Sequence, residues 1–393
     1  MGSTAPPSRP RRLRCWILGF LAGLLLGVGV FVVSEWTWFR RMATYPENPI
    51  TEVEWYEPRE VVLGRRGAEL PEARPNLFPP AVLAEAETWC DARNSSALLV
   101  VHRGEIVLER YWRGHHAAAL TISMSMAKTL VALLVGIAID EGSLDSLDAP
   151  ASQWLTEWAS DERSRITLRH LLQMCSGLGS AKHDNDPTSD IGYMYLGTDS
   201  LYVVAGVDLE EEPAARFEYN SINTQALAII LERATDRRFA KYLSKKLWIP
   251  IRASDASVWL DDDGGLAKAF CGVFATARDW ARVGLLIQHR GRANDKQVVP
   301  AEYIAAMMTP SPLEPDYGFH VWLGNEGIRS EEEDHHEPFV AEDLVYLDGK
   351  HRQRVYVIPS RELVIVRVGE RGADWDDAFL PNLFVGALGG SRR

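Results

Sequence analysis

The fold of this 393-residue chain is decided by the stretch SMAKTLVALLVGIAIDEG at residues 125–142. It predicts a helix from Ser125 to about Glu141. Apolar residues lie on nearly every side of that helix, so it belongs in the centre of a domain. Gly142 follows at the position where helices commonly end on a left-handed residue. The neighbouring segments must therefore supply the strands and helices that cover this helix.

Strand patterns at both ends of the chain bracket a helical middle. Strands are predicted at residues 96–102, 105–112, 343–347, 354–358 and 363–368, the first two forming a hairpin. Helices are predicted at residues 81–94, 125–141, 167–175, 222–235, 239–248, 277–289, 300–308 and 375–388. The simplest assembly is an α/β (α+β) fold. One antiparallel sheet is closed by the two chain ends and flanked by helices, with an all-helical subdomain inserted at about residues 150–310.

The N-terminus predicts a membrane anchor. Every residue from Trp16 to Val33 is apolar or glycine, which reaches the lower length limit for a membrane-spanning helix. Four arginines precede this run, so the basic tail at residues 1–15 is expected in the cytoplasm. The body is then expected outside the cytoplasmic (inner) membrane, in the extracytoplasmic or periplasmic space. The bulky residues after the run favour an uncleaved, single-pass signal anchor at residues 16–34 over a cleaved signal peptide.

The predicted domain order follows from this anchor. A segment rich in Pro, Glu and Arg at residues 35–80 is expected to be an extended linker, and residues 81–390 form the main domain. Gly19, Gly23 and Gly27 lie on one face of the anchor helix, a spacing that lets two helix backbones approach closely. A homodimer through this face is one interpretation, and the ordinary abundance of glycine in membrane helices is the other.

Composition excludes several classes of function. The net charge is −12 and the basic residues of the N-terminus leave the body still more acidic, which argues against nucleic acid as a partner. No metal site or cofactor is expected, because CxxC and HExxH are absent and His335-His336-Glu337 lies in an aperiodic acidic stretch typical of a solvated loop. The irregular spacing of Cys90, Cys175 and Cys271 leaves open whether a disulfide forms.

A candidate nucleophile stands at the head of the central helix. Ser125 and Lys128 are three residues apart and so share one helix face. A serine hydroxyl needs a base to become nucleophilic, and burial lowers a lysine's pKa so that its amine can accept a proton. Tyr219, in Phe217 to Asn223, is a second proton-transfer candidate, although a packed aromatic residue before a helix is the ordinary interpretation.

A third candidate element is the run Gly349-Lys350-His351-Arg352-Gln353 before the strand at residues 354–358. A strand here can offer a backbone amide to a developing oxyanion. The alternative interpretation is a basic turn between two strands.

These segments together resemble the serine β-lactamase and penicillin-recognising hydrolase family, particularly its class C, esterase and 6-aminohexanoate-oligomer hydrolase branch. The matching segments occur in family order over about residues 95–385. They are residues 125–142, 166–178, 217–223, 274–282, Tyr317-Gly318 and 353–369. The resemblance implies the family's fold, with its antiparallel sheet and helical insertion. It is less specific for chemistry, because one scaffold serves lactamases, peptidases, esterases and amidases.

Carried over residue by residue, the resemblance implies that Ser125 is the nucleophile, Lys128 its proton partner and Tyr219 the acid/base residue. The backbone amides of Ser125 and Gln353 would form the oxyanion hole. No cofactor is implied.

Two departures concern the substrate-binding residues. Ser221 stands where lactamases carry asparagine, and Lys350-His351-Arg352 replaces Lys-Thr-Gly, so a large cation takes the place of a glycine. Both departures count against efficient β-lactam hydrolysis. Arg352 is expected either to point inward and pair with a substrate carboxylate or to face solvent without effect on selectivity.

The sequence therefore predicts a membrane-anchored serine hydrolase that cleaves an amide or ester of a small molecule through an acyl-enzyme. Two alternatives remain at this level. One is a D-alanyl-D-alanine carboxypeptidase or β-lactamase acting on cell-wall-like substrates, and the other is a catalytically silent sensor with the same fold.

Overall fold

The computed structural model describes residue 20 and residues 35–65, 69–73, 77–179, 186–324 and 337–389. The predicted anchor at residues 16–34 lies outside these ranges except for Phe20, as do His335 and His336. In the ranges described, no helix has both the length and the apolar character needed to cross a bilayer.

The described ranges contain helices and strands throughout. The helices are α1 Trp36–Ala43, α2 Pro80–Ala92, α3 Ala127–Asp140, α4 Leu168–Leu172, α5 Asp190–Leu196, α6 Ser200–Gly206, α7 Ser221–Thr235, α8 Phe239–Leu243, α9 Ala277–Gln288, α10 Ala301–Met307 and α11 Phe379–Ala387. The strands are β1 Arg59–Val62, β2 Ser95–His102, β3 Glu105–Tyr111, β4 Thr121–Ile122, β5 Ala256–Trp259, β6 Val273–Ala275, β7 Arg292–Ala293, β8 Lys296–Gln297, β9 Trp322–Leu323, β10 Val345–Gly349, β11 Gln353–Ile358 and β12 Leu363–Gly369.

A six-stranded antiparallel sheet is formed by the two ends of the chain, in the order β3-β2-β12-β11-β10-β9. Strand β12 pairs with β2 from Leu363 opposite His102 through Val368 opposite Ala97, so the C-terminal strands join the N-terminal hairpin directly. Both sides of the sheet are covered, which explains why β2, β11 and β12 are buried along their whole length. The prediction of an antiparallel sheet closed by the chain ends is confirmed.

Helix α3 is the central helix that the sequence predicts. It begins at Ala127, after a 3₁₀ turn at Met124–Met126, and all its residues from Ala127 to Ala138 are buried. Helix α9 packs on the inner face of the sheet against β2, β11 and β12, and it shares one apolar core with α3. Helices α2 and α11 cover the opposite face of the sheet around Trp89, Trp375 and Phe384.

A second sheet, in the order β1-β5-β6-β4, was not predicted. Strand β1 pairs with β5 from Arg59 opposite Trp259 to Val62 opposite Ala256. The expectation of an extended linker over residues 35–80 is therefore wrong for much of this segment. Its strand is too short to show a periodic pattern, and its burial comes from partners about 200 residues away.

Helix α1 is also part of the folded body. Its Arg41 is 2 % exposed and donates hydrogen bonds to the carbonyls of Leu196 and Gly197, at the end of α5, and to those of Glu57 and Asp261. A buried guanidinium is tolerated only when such acceptors surround it. The segment that follows the predicted anchor is thus fixed to the main domain.

The inserted region is helical as predicted at α4, α7, α8, α9 and α10, with ends shifted by a few residues. Helices α5 and α6 were not predicted, and β5 and β6 make the insertion mixed rather than all-helical. Helix α9 shows why the confirmed helices were predictable. Thr276 accepts a hydrogen bond from the Asp279 amide while the Asp279 carboxylate accepts one from the Thr276 amide, so both ends of a capping box are present.

Replacing Gly284 by alanine is expected to lower the free energy of unfolding by about 1–3 kcal/mol. A Cβ at this position of α9 would lie 2.6 Å from Val364 Cγ1 and 3.1 Å from Val355 Cγ1 in the sheet beneath. Urea denaturation of the purified protein measures the change. Gly386→Ala in α11 is the control, since a Cβ there meets nothing within 4 Å and alanine favours a helix by up to about 1 kcal/mol. Equal stability of the two variants would contradict this packing.

Candidate active site

Ser125 is presented by a tight turn between strand β4 and helix α3. Met124, directly before it, has a φ of +47°, a left-handed conformation that is uncommon for residues other than glycine. The turn is held by Ser123, whose hydroxyl donates to the Cys271 carbonyl at 2.9 Å and accepts from the Val273 amide at 3.2 Å. Ser125 therefore stands at a fixed position beside β6, at the start of the central helix.

Lys128 lies beneath Ser125. Its Nζ donates to Ser125 Oγ at 3.0 Å and to the Phe270 carbonyl at 3.1 Å, and the residue is 1 % exposed. The serine hydroxyl and the amine are thus already at proton-transfer distance. The spacing of three residues on one helix face, which the sequence predicts, brings these two groups together.

Tyr219 comes to the same place from a different part of the chain. Its ring centroid is 5.2 Å from Lys128 Nζ, and it stacks against Trp322 with centroids 5.7 Å apart while Tyr317 packs edge-on at 6.1 Å. Asn220 fixes the backbone next to it, since its side chain caps α7 by accepting from the Ile222 amide at 2.9 Å. Ser125, Lys128 and Tyr219 therefore form one cluster.

A histidine that the sequence analysis did not single out lies under this cluster. His320 is fully enclosed, and its Nε2 is 3.0 Å from Thr224 Oγ1 while its Nδ1 is 3.4 Å from the Tyr317 hydroxyl. Burial, together with the charge of Lys128, lowers the pKa of His320 to about 3. The imidazole is therefore neutral at physiological pH, and it adds no second positive charge beneath Lys128.

The cluster opens into a cleft of about 350 Å³. Most of its walls are apolar or aromatic, and its polar side chains are those of Ser125, Ser221, Lys350 and Asp186, besides the tyrosine hydroxyls. The lining residues are Met42, Tyr45, Met124, Ser125, Asp186, Pro187, Ile191, Gly192, Tyr195, Leu196, Tyr219, Ser221, Phe270, Cys271 and Lys350. The sequence analysis missed Met42 and Tyr45, because it assigned them to a linker.

The turn after β10 puts the remaining predicted site residues in different places. Gly349 lies against the turn that carries Ser125, since a Cβ there would be 2.5 Å from the Ser123 carbonyl oxygen. Lys350, the next residue, lines the cleft. Gln353 is fully buried, and its side chain bonds the backbone of Gly369 in β12 rather than facing the cleft.

Arg352 is partly buried within the same turn, with a φ of +65°, and its carbonyl accepts from the Arg367 guanidinium at 3.2 Å. In the described part of the chain, neither Arg352 nor Gln353 contributes to the lining of the cleft. Ser221 does line it. The structure thus brings Ser221 to the cluster of Ser125, Lys128 and Tyr219.

Cys90, Cys175 and Cys271 are buried and unpaired. Cys271 borders the cleft, and burial raises the pKa of its thiol to about 12, so the thiolate that nucleophilic attack requires is scarce at neutral pH. Over the ranges described, His, Cys, Asp and Glu side chains form no cluster of three or more suited to a metal ion.

Comparisons with known proteins give matches over most of the chain. A family model described as Beta-lactamase matches residues 83–381. The chain is 28 % identical over 287 residues to a 6-aminohexanoate-dimer hydrolase of Paenarthrobacter ureafaciens, covering 65 % of this chain and 71 % of that protein.

Solved structures share the fold. A provisionally named 6-aminohexanoate-dimer hydrolase from Bacillus anthracis superposes with a TM-score of 0.71 at 21 % identity, over 86 % of this chain and 92 % of that one. A D-stereospecific amidohydrolase from Streptomyces superposes with a TM-score of 0.58 at 15 % identity, over 80 % of this chain and 99 % of that one.

His320→Gln is expected to reduce the loss of unfolding free energy between pH 7 and pH 4.5. The folded protein holds His320 neutral, with a pKa of about 3, whereas the unfolded chain takes up a proton near pH 6.5. The contribution of His320 to the free energy of unfolding is therefore complete above about pH 6.5, and it is lost as the pH falls towards 3. Unfolding free energies at pH 7 and pH 4.5 should differ less in the variant than in the wild type. An unchanged difference would contradict the neutral state.

Proposed function

Because the chain belongs to the beta-lactamase family and is a serine hydrolase, we propose that it is a membrane-anchored enzyme that cleaves an amide or ester through an acyl-enzyme on Ser125. One observation carries the proposal. The Ser125 hydroxyl lies 3.0 Å from the buried Lys128 amine at the head of a helix, inside a cleft that also holds Tyr219. A nucleophile, a base and a third proton-transfer group are thereby in reach of one substrate.

The reaction follows from these positions. Lys128 in its neutral form accepts the Ser125 proton while Oγ attacks the substrate carbonyl, which gives a tetrahedral intermediate. The intermediate collapses as Tyr219 donates a proton to the leaving nitrogen or oxygen, and the acyl group stays on Ser125. The Lys128 ammonium then gives a proton to the Tyr219 phenolate, so both groups regain their starting protonation states. Water then attacks the acyl-enzyme and gives its proton to the same base, which passes it to Ser125 Oγ as the bond to the acyl carbon breaks and the acid leaves.

The oxyanion of these intermediates needs two backbone donors. One is the Ser125 amide, at the start of the central helix. We propose the amide of Gln353 as the second. What supports Gln353 is that it pairs with Gly349 across the turn after β10, and Gly349 lies against the Ser123 carbonyl in the turn that carries Ser125.

The substrate class is proposed from the relatives and from the cleft. The relative at 28 % identity is named for the hydrolysis of 6-aminohexanoate dimers, which are linear amides. Lys350 supplies a cation at the cleft that can pair with the free carboxylate of a linear substrate. These features support a linear amide or ester over a bulky bicyclic lactam.

The anchor is proposed from residues 16–34. What supports it is the uninterrupted apolar run with arginines before it. Helix α1 begins two residues after the proposed span and is fixed to the catalytic domain by Arg41. The enzyme is therefore proposed to act at the outer face of the cytoplasmic membrane.

Ser125→Ala is expected to reduce ester hydrolysis at least about a thousandfold, because the nucleophile is lost while little of the core changes. The measurement is intact mass after exposure to a fluorophosphonate, with peptide mapping of the adduct. Ser123→Ala is the matched control. It removes a hydroxyl two residues away that bonds only backbone groups, so the label should remain on Ser125.

The labelling results distinguish the proposed serine hydrolase from a silent sensor and from a cell-wall enzyme. A label on Ser123, or none on any serine, would overturn the nucleophile, and the second result would favour a silent sensor. A penicillin adduct with rapid turnover of a chromogenic cephalosporin would favour a cell-wall enzyme instead.

A reporter enzyme fused after residue 60 is expected to be active only outside the cytoplasm, because the basic tail holds the N-terminus inside. Alkaline phosphatase and green fluorescent protein fusions in a bacterial host give opposite readouts. Moving the four arginines that precede the span to its far side is the control, and it should reverse the result. Activity in the cytoplasm, or a soluble mature form lacking residues 1–40, would overturn the anchor.

A further inference from the structure

We infer that the substrate of this cleft is an amphiphile, an ester or amide whose alkyl chain is drawn from the membrane surface into the apolar part of the cleft. The inference rests on the proposed function, which it deepens by naming the substrate class.

One end of the cleft is polar, and the rest of its wall is mostly apolar. Ser125, Tyr219 and Lys350 supply polar groups at the reacting end, whereas Met42, Ile191 and Leu196 belong to a longer wall that is apolar apart from Asp186 and the hydroxyls of two tyrosines. A ligand that fills it therefore needs a polar reacting group joined to an apolar portion. The volume of about 350 Å³ is at the lower end of the range for ligand pockets, which suits one alkyl chain of medium length.

The apolar end of the cleft is completed by the segment that follows the proposed anchor. Met42 and Tyr45 line the cleft and are 40 % and 42 % exposed, so they stand at its mouth. They are held there by Arg41, which is buried against the end of α5. Leu196, at that end, lines the cleft itself. The same helix thus joins the anchor to the entrance of the active site.

Large exposed aromatic residues mark the side of the domain that carries this entrance. Trp36, at the start of α1, is 60 % exposed, and Tyr202 in α6 is 70 % exposed. Tyr193 connects them, since its hydroxyl donates to Glu35 at 3.0 Å and its ring lies 6.5 Å from that of Tyr202. Exposed Trp and Tyr beside a membrane span are typical of residues that sit at the lipid headgroups.

The distance from Trp36 to the mouth of the cleft is short enough for a substrate that is carried by the bilayer. Met42 is six residues beyond Trp36 in one helix, so it lies about 9 Å further along the axis. The polar region on each side of a bilayer is about 5–8 Å thick. Whatever the tilt of α1, the mouth of the cleft therefore lies no more than about 9 Å further from the membrane than Trp36, within reach of an amphiphile whose carbonyl lies among the headgroups.

The first experiment is a chain-length series on the full-length protein. We expect kcat/KM for p-nitrophenyl esters, corrected for spontaneous hydrolysis, to rise about fourfold for each methylene buried, which corresponds to about 0.8 kcal/mol. From acetyl to octanoyl the total rise should be at least about fiftyfold. Ethyl and octyl acetate, followed by acid release, test a chain on the leaving-group side. A preference for the longer member in either series supports the inference, and equal rates in both would overturn it.

Met42→Asn should reduce the octanoyl-to-acetyl ratio of kcat/KM about fivefold, because a polar group then stands at the mouth. Leu313→Asn is the matched control. It changes a residue that is 38 % exposed and does not line the cleft, so the ratio should stay that of the wild type. An equal fall in both variants, or none in Met42→Asn, would overturn the assignment of the apolar wall.

The second experiment tests delivery from the membrane. Full-length protein is reconstituted in phosphatidylethanolamine–phosphatidylglycerol vesicles that contain p-nitrophenyl hexadecanoate, or is mixed with separate vesicles that contain it. Hydrolysis should be at least about tenfold faster when enzyme and ester share a vesicle, and equal rates would overturn delivery from the membrane. Absence of Ser125-dependent turnover for every ester would overturn the proposed function as well. Ser125-dependent turnover without a preference for the longer member in either series would overturn this inference alone.

Discussion

The burial of Lys128 is the constraint on which the rest of the site depends. An amine removed from water is costly unless polar groups surround it. Here the Ser125 hydroxyl and the Phe270 carbonyl are those groups, at 3.0 and 3.1 Å. A fully buried helix has to carry the lysine, and the turn before β6 has to bring the carbonyl. The apolar character of α3 and the path of β6 can both be understood from this requirement.

The side chains of His320, Tyr219 and Phe270, which surround Lys128, are neutral or aromatic. His320 lies below it with a pKa lowered to about 3, so two positive charges do not meet in the core. The rings of Tyr219 and Phe270 face the ammonium at 5.2 and 5.7 Å, a distance at which a ring face attracts a cation. Such a neighbourhood holds the lysine in place in either protonation state, as a proton acceptor requires.

A second buried cationic cluster joins the N-terminal segment to the catalytic domain. Lys268 is fully buried, and its Nζ donates to the Gly197 carbonyl at 3.0 Å, an acceptor that Arg41 shares at 2.7 Å. Burial, followed by the charge of Arg41, lowers the pKa of Lys268 to about 7. The nearby carboxylate of Asp261 opposes this effect. Helix α1 and the wall of the cleft are thus parts of one packed unit.

The elements that depend on local periodicity could be predicted from the sequence alone. The central helix, the closing strands and the pairing of Ser125 with Lys128 were predicted correctly, because residues three apart on a helix are neighbours whatever surrounds them. Two features became visible only in the folded chain: α1 and β1 belong to the body, and Lys350 lines the cleft while the Gln353 side chain does not. Those outcomes depend on partners far away in the chain and on the left-handed conformations of His351 and Arg352, which redirect the backbone in ways that no periodic pattern records.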